Sequence, residues 1–142
     1  MSKIKVTING RQLSGSEGMT ILEVAQVNGI DIPTLCYNPE LTTIGVCRIC
    51  VVEVEGSRTL VGSCHTPVTP GMVINTHSHK VLETRRVIMD LLMASHCGSC
   101  FICEKANVCE LRKIAIDLEV GLTRFQVRKR YYPIEDVSPY IE

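Results

Sequence analysis

Eight cysteines fall into two sets along this 142-residue chain. Cys36, Cys47, Cys50 and Cys64 form the first; Cys97, Cys100, Cys103 and Cys109, just behind His96, form the second. Thiols that lose their protons bind metals and iron–sulfur centres, and clustered cysteines in a reducing compartment more often do this than form disulfides. In the first set, ten residues separate Cys36 from Cys47, two separate Cys47 from Cys50, and thirteen separate Cys50 from Cys64. Structural zinc usually takes two short chelating pairs, and only one exists here. One close pair with distant partners is nearer to a [2Fe–2S] ferredoxin pattern, although the plant-type spacing opens with a gap of about four residues. Gly45, beside the close pair, lets the backbone wrap tightly, so that its amides can aim at sulfur and stabilise negative charge.

The second set lies in "SHCGSCFICEKANVCEL". Cys97, Cys100 and Cys103 follow the C-x-x-C-x-x-C rhythm of bacterial [4Fe–4S] ferredoxins. Cys109 then comes after five residues instead of three, and no proline follows it. Taking His96 in place of Cys97 gives His-x3-Cys-x2-Cys-x5-Cys. Spacing alone does not choose between them. The choice matters, because a neutral imidazole in place of a thiolate removes one unit of negative charge and raises the potential of the bound centre.

The elements that must position these residues are short and mixed. "KIKVTING" alternates Ile4, Val6 and Ile8 against polar residues, the period of a half-buried strand, and Asn9-Gly10 supplies a hairpin turn into "RQLSG". Thr20 is the predicted N-cap of a helix over "ILEVAQVNG", with Glu23 completing a capping box and Ile21, Leu22, Val24 and Ala25 facing the core. Pro33 and Pro39 forbid a long helix in the next stretch. Short strands are predicted at "VVEVEG", "RTLVGSC" and "MVINTHS". From Lys80 the pattern is helical: Val81, Ile88 and Leu92 align, flanked by Leu82, Met89 and Leu91, with Glu83, Arg86 and Asp90 opposite. Leu111, Ile114, Ala115 and Leu118 mark a second amphipathic helix ending near Gly121. The boundary between the two modules falls near residue 79.

Fifteen basic and fifteen acidic residues balance, so no strong field points to nucleic acid or anionic lipid. There is no Trp and only two Phe, which leaves a bound cofactor part of the organising role. No secretory signal is visible and the longest apolar runs are too short to span a bilayer, so the chain reads as cytoplasmic. No G-x-G-x-x-G follows a strand and no Walker loop is present, hence no nucleotide site and no catalytic residue set.

Taken together, the strand-helix opening, "NGIDIPTLCYNPE", "GVCRICVVEVEG" and "HCGSCFICEKANVCEL" resemble the N-terminal iron–sulfur segment of two families. These are the large subunits of NADH:quinone oxidoreductases (complex I) and the multi-cluster iron-only hydrogenases. The likeness covers roughly residues 3 to 120. It implies an α+β fold, with a β-grasp [2Fe–2S] ferredoxin-like domain over residues 1–79 followed by a small helical [4Fe–4S] module over residues 80–121. Residues 122–142 would be a docking or connecting tail. It implies Cys36, Cys47, Cys50 and Cys64 as ligands of the first cluster, and His96, Cys100, Cys103 and Cys109 as ligands of the second. The family commonly continues into a two-cluster ferredoxin domain and a catalytic domain; this chain stops about where that would begin, as a stand-alone subunit or a fragment. The implied function is single-electron relay in a hetero-oligomeric NADH dehydrogenase, hydrogenase or formate dehydrogenase. Its partners would be a flavin-bearing NAD(P)H-oxidising subunit and a catalytic oxidoreductase subunit. A redox-sensing iron–sulfur regulator and a zinc-stabilised interaction module are the rival readings.

Other residues carry weaker signals. His65, His77 and His79 read as surface or turn residues. Arg48, between two ligands, reads equally as a charge tuning a cluster or as an exposed loop residue. Arg85, at the margin of the apolar stripe, reads as a snorkelling side chain. "RFQVRKRYY" mixes basic and aromatic residues, but one short run in a neutral chain favours docking over nucleic-acid binding.

Overall fold

The computed structural model describes residues 3–96, 98 and 100–125. Strand β1 (Lys3–Ile8) buries Ile4, Val6 and Ile8 and turns at Asn9 (φ 51°) and Gly10 (φ 77°) into antiparallel β2 (Arg11–Ser16). Two consecutive positive φ values are the conformation a tight hairpin needs, and Asn-Gly reaches it with little strain. Helix α1 (Ile21–Val27) starts at Thr20, whose hydroxyl accepts the Glu23 amide at 3.2 Å while Glu23 Oε2 accepts the Thr20 amide at 2.7 Å. Ile21, Leu22, Val24 and Ala25 are fully buried beneath it, as their spacing predicts.

Strands β3 (Val51–Val54), β4 (Val61–Gly62) and β5 (Val73–Asn75) complete a mixed five-stranded sheet in the order β2-β1-β5-β3-β4. β1 and β5 run parallel at its centre, with Thr7 opposite Val73 and Ile8 opposite Ile74. Asn9 fastens this seam. Its side chain donates to Thr76 Oγ1 and accepts from the Thr76 amide, both at 2.8 Å. The sheet and α1 enclose the first core; the stretch between α1 and β3, which carries three of the first four cysteines, contains no helix or strand.

Helix α2 (His79–Ser95) and helix α3 (Glu110–Asp117) build a second core from Met89, Ile114, Ala115 and Leu118. Ile49, between Cys47 and Cys50, is fully buried in that second core, so the cysteine-bearing loop joins the two. The buried face of α2 differs from the apolar line read in the sequence. Val81, Arg85, Met89, Asp90 and Ala94 are buried, whereas Leu91 is exposed. The reason is that both charged residues find partners. Arg85 Nη2 donates to the Val51 carbonyl at 2.8 Å, so this side chain does not snorkel to solvent. Asp90 accepts two hydrogen bonds from Arg124. Beyond Phe125 the tail, including most of "RFQVRKRYY", lies outside the described residues.

Candidate functional site

The first cysteine set converges. Cys36 and Cys47 approach from the two ends of the loop closely enough for each thiol to shift the other, and Cys50 acts on Cys64 in the same way on the buried side. Cys50 leads into β3 and Cys64 follows β4, so the antiparallel pairing of Val51 with Gly62 brings these two together. Burial pushes the Cys64 thiol up to about 12, with further contributions from the Cys50 thiol and from the charges of Cys50, Cys36 and Cys47. All four sulfurs therefore occupy one electrostatic neighbourhood.

Backbone amides face this neighbourhood. Burial raises Cys36, but the amides of Cys47, Val46 and Cys36 itself, together with the Cys47 thiol, bring it below the ordinary thiol value. Cys47 is raised, first by burial and then by the Cys36 thiol, against opposing amides from Ile49, Leu35 and Cys36. Gly45 (φ 63°) and Arg48 (φ 58°) adopt left-handed backbone, which curls the loop so that its N–H groups turn inward. Four thiols, two of them facing amide donors and one held far from spontaneous ionisation, suit a centre whose iron would replace the thiol protons. The residues fit a [2Fe–2S] group on this chemistry.

His65 belongs to the same rim. Its Nδ1 lies 3.6 Å from Cys64 Sγ, and its ring covers Gly45 and Gly62. A Cβ at Gly45 would come within 2.8 Å of that nitrogen, and one at Gly62 would overlap the ring. The histidine is exposed as expected of a turn residue, but its contact with a cysteine sulfur goes beyond that reading. The visible signal was its place directly after Cys64.

The second set is laid out along the connection from α2 to α3. His96 is the C-cap of α2, Cys100 opens a 3-10 turn (Cys100–Ile102), the Cys103 amide donates to the Cys100 carbonyl at 3.4 Å, and Cys109 is the N-cap of α3. Cys109 Sγ accepts the Arg112 amide at 3.4 Å, a capping role usually filled by an oxygen. Cys97 lies outside the described residues. His96 Nδ1 accepts the Gly98 amide at 3.2 Å. Were His96 to hold iron through Nδ1, that hydrogen bond would be given up. Three thiols and one imidazole nitrogen on the connection between two helix ends suit the donor chemistry of an iron–sulfur centre. Among the described residues, no group of three or more His, Cys, Asp or Glu side chains closes on a single metal-ion position.

Two known families match separate stretches of the chain. Residues 1–79 match the family described as 2Fe-2S iron-sulfur cluster binding domain, and residues 85–124 match the NADH-ubiquinone oxidoreductase-G iron-sulfur binding region. The NADP-reducing hydrogenase subunit HndD of Solidesulfovibrio fructosivorans is 44% identical over 145 residues, covering 99% of this chain and 24% of its own length. The mitochondrial NADH-ubiquinone oxidoreductase 78 kDa subunit of Candida albicans is 34% identical over 113 residues, covering 80% of this chain and 16% of its own length. The chain thus spans about a quarter or less of these curated relatives. Among solved structures, a chain in the crystal structure of NAD+-reducing [NiFe]-hydrogenase in the H2-reduced state aligns at a TM-score of 0.88 and 30% identity, covering 97% of this chain and 58% of that one. The convergent cysteines, the mixed sheet and these matches agree: the chain belongs to the 2Fe-2S iron-sulfur cluster binding domain family, and behind that domain it carries the [4Fe–4S] binding region of the NADH-ubiquinone oxidoreductase-G family.

Proposed function

We propose that the chain relays single electrons within a multi-subunit NAD(P)H-linked oxidoreductase, of the NADH dehydrogenase, hydrogenase or formate dehydrogenase type. The nearness of Cys36 to Cys47 and of Cys50 to Cys64, with both pairs within electrostatic reach of each other, carries this reading. In it, residues 1–79 form the [2Fe–2S] domain with those four ligands. Residues 80–121 form the [4Fe–4S] module, bound by His96, Cys100, Cys103 and Cys109, and residues 122–142 dock or connect. Bound there, each centre supplies one-electron redox chemistry.

The residues themselves do the rest. The loop amides stabilise negative sulfur, and the buried Cys50 and Cys64 keep water from one side of the first site. Ile49 locks the loop onto α2 and α3, which fixes one cysteine set relative to the elements that hold the other. Leu41, Ile44 and Val46 leave the loop's outer face apolar and exposed, as do Phe101, Ile102 and Val108 near the second set. Such patches suit contact with other subunits, a flavin-bearing NAD(P)H dehydrogenase subunit on one side and a catalytic subunit on the other. Among the described residues no helix is long and apolar enough to cross a membrane. A cytoplasmic setting completes the proposal.

Iron and acid-labile sulfide analysis of protein purified without oxygen tests it. About six irons per chain with matching sulfide are expected from the two cluster types. Stoichiometric zinc without sulfide would end the electron-transfer reading, and co-purification from the native source identifies the partner subunits.

A further inference from the structure

Among the described residues Arg85 is the largest fully buried side chain, 2% exposed, on the face of α2 that packs against β3. Its Nη2 donates to the carbonyl of Val51, the residue after Cys50, at 2.8 Å, while its Nε has no partner among the described residues. A buried cation normally has a buried anion beside it, because desolvating an unpaired charge costs far more than one hydrogen bond returns. The charges acting on this guanidinium are those of Cys50, then Asp31. Asp31 is exposed, whereas Cys50 is buried. Burial lowers the Arg85 pKa to about 10, and it stays charged at neutral pH. A permanent positive charge with an unsatisfied donor is therefore held on the carbonyl of the residue that follows Cys50, within electrostatic reach of that buried cysteine.

We infer that Arg85 is a positioning residue for electron uptake at the first site: from α2, it supplies the counter-charge to the Cys50 sulfur and raises the reduction potential there. The inference rests on the reading of Cys36, Cys47, Cys50 and Cys64 as [2Fe–2S] ligands. Four thiolates give such a centre net negative charge, and an arriving electron adds one more unit. A buried cation stabilises the reduced form more than the oxidised one, and low local polarisability keeps that effect from being screened. Because Arg85 and Met89 share one face of α2, the helix that ends at His96 also carries the charge acting on the first site. The second module is thereby part of the electrostatic environment of the first.

The test uses the full chain carrying both centres, with Arg85→Met, Arg85→Gln and Arg85→Lys compared with the parent. Iron and sulfide content, the electron paramagnetic resonance signal of each reduced centre and dye-mediated redox titrations are read together with the thermal midpoint. The expected result is a first-site potential shifted negative in Arg85→Met and Arg85→Gln, a smaller shift in Arg85→Lys, and a smaller change at the second site than at the first. If Arg85→Met does not fold, the Gln and Lys pair decides, since it differs in charge. Equal first-site potentials in the Gln and Lys variants, or a Met variant with the parent's potential, would overturn the inference. So would loss of the first centre in all three variants, which would make the role one of folding. A parent protein with no [2Fe–2S] signal at all would instead overturn the ligand reading beneath it.

Discussion

Asp90 and Arg124 are joined at two points. Asp90 Oδ1 accepts the Arg124 amide at 3.1 Å and Oδ2 accepts its Nε at 2.7 Å, while Thr123 Oγ1 donates to the Asp90 carbonyl at 3.2 Å. The chain after α3 is thus tied back onto the middle of α2. Arg124's side chain is largely exposed and Asp90's is not, so the bond lies at the rim of the second core.

The Arg124 hydrogen bond, with help from Thr123 and against burial, holds the Asp90 carboxyl below its ordinary value. The folded state therefore binds this proton less tightly than the unfolded chain. Its stabilising contribution is complete above the ordinary carboxylate value and disappears as pH falls through the lower folded value. Asp90→Asn is expected to remove that acid-limb dependence and to speed amide exchange at Arg124. Unchanged exchange there would show that the clasp does not hold the segment.

Gly15 sits opposite Ile4 in the hairpin, and a Cβ on it would stand 2.6 Å from Cγ2 of Val24 on α1. Gly15→Ala is expected to cost about 1–3 kcal/mol by overpacking, measured by denaturant unfolding. Placed on Val24→Ala, the same change is expected to cost much less. Additive costs in the double variant would remove this contact as the cause.

The Thr20 cap is reciprocal, so its loss frees donors on both sides. Thr20→Ala is expected to destabilise by about 1 kcal/mol. Glu23→Ala made on top of it is expected to add less than it costs alone, since its amide partner's geometry is already gone. Thermal midpoints of the four proteins check this.

His96→Ala and Cys97→Ala, made separately, decide the second ligand set. The expected outcome is that His96→Ala changes the reduced tetranuclear signal and Cys97→Ala leaves it in place. The reverse pattern would give that coordination position to the cysteine.

Much of the first module could be read from local chemistry. Ile4, Val6 and Ile8 announce a strand because side chains alternate across a pleat, and Thr20 with Glu23 announces a helix start because the capping bonds span only three residues. The four cysteines of the first set could be grouped by type and spacing alone. What escaped the sequence was long-range pairing. Periodicity sorts α2 by hydrophobicity, and so it put Asp90 on the solvent face and left Arg85 at the margin. Both are buried because their partners, Arg124 and Val51, lie 34 residues away in the chain. Ile49 was likewise hidden, since nothing in "CRIC" says that its side chain enters the core built by α2 and α3. The second set remained ambiguous for another reason: His96 and Cys97 are neighbours, and chain spacing does not distinguish adjacent ligands.

The central place of β1 has a temporal consequence. It is the earliest strand of the sheet, yet its parallel partner β5 exists only once Asn75 has been synthesised, and Cys36 to Cys64 all lie within the intervening stretch. On the ribosome these four thiols emerge before the strand that completes the sheet, and α2 with Arg85 emerges later still. During that interval they are open to peroxide and to stray copper or zinc. On the proposed ligand reading, iron and sulfide delivered once α2 has been made would meet thiols already gathered by the sheet.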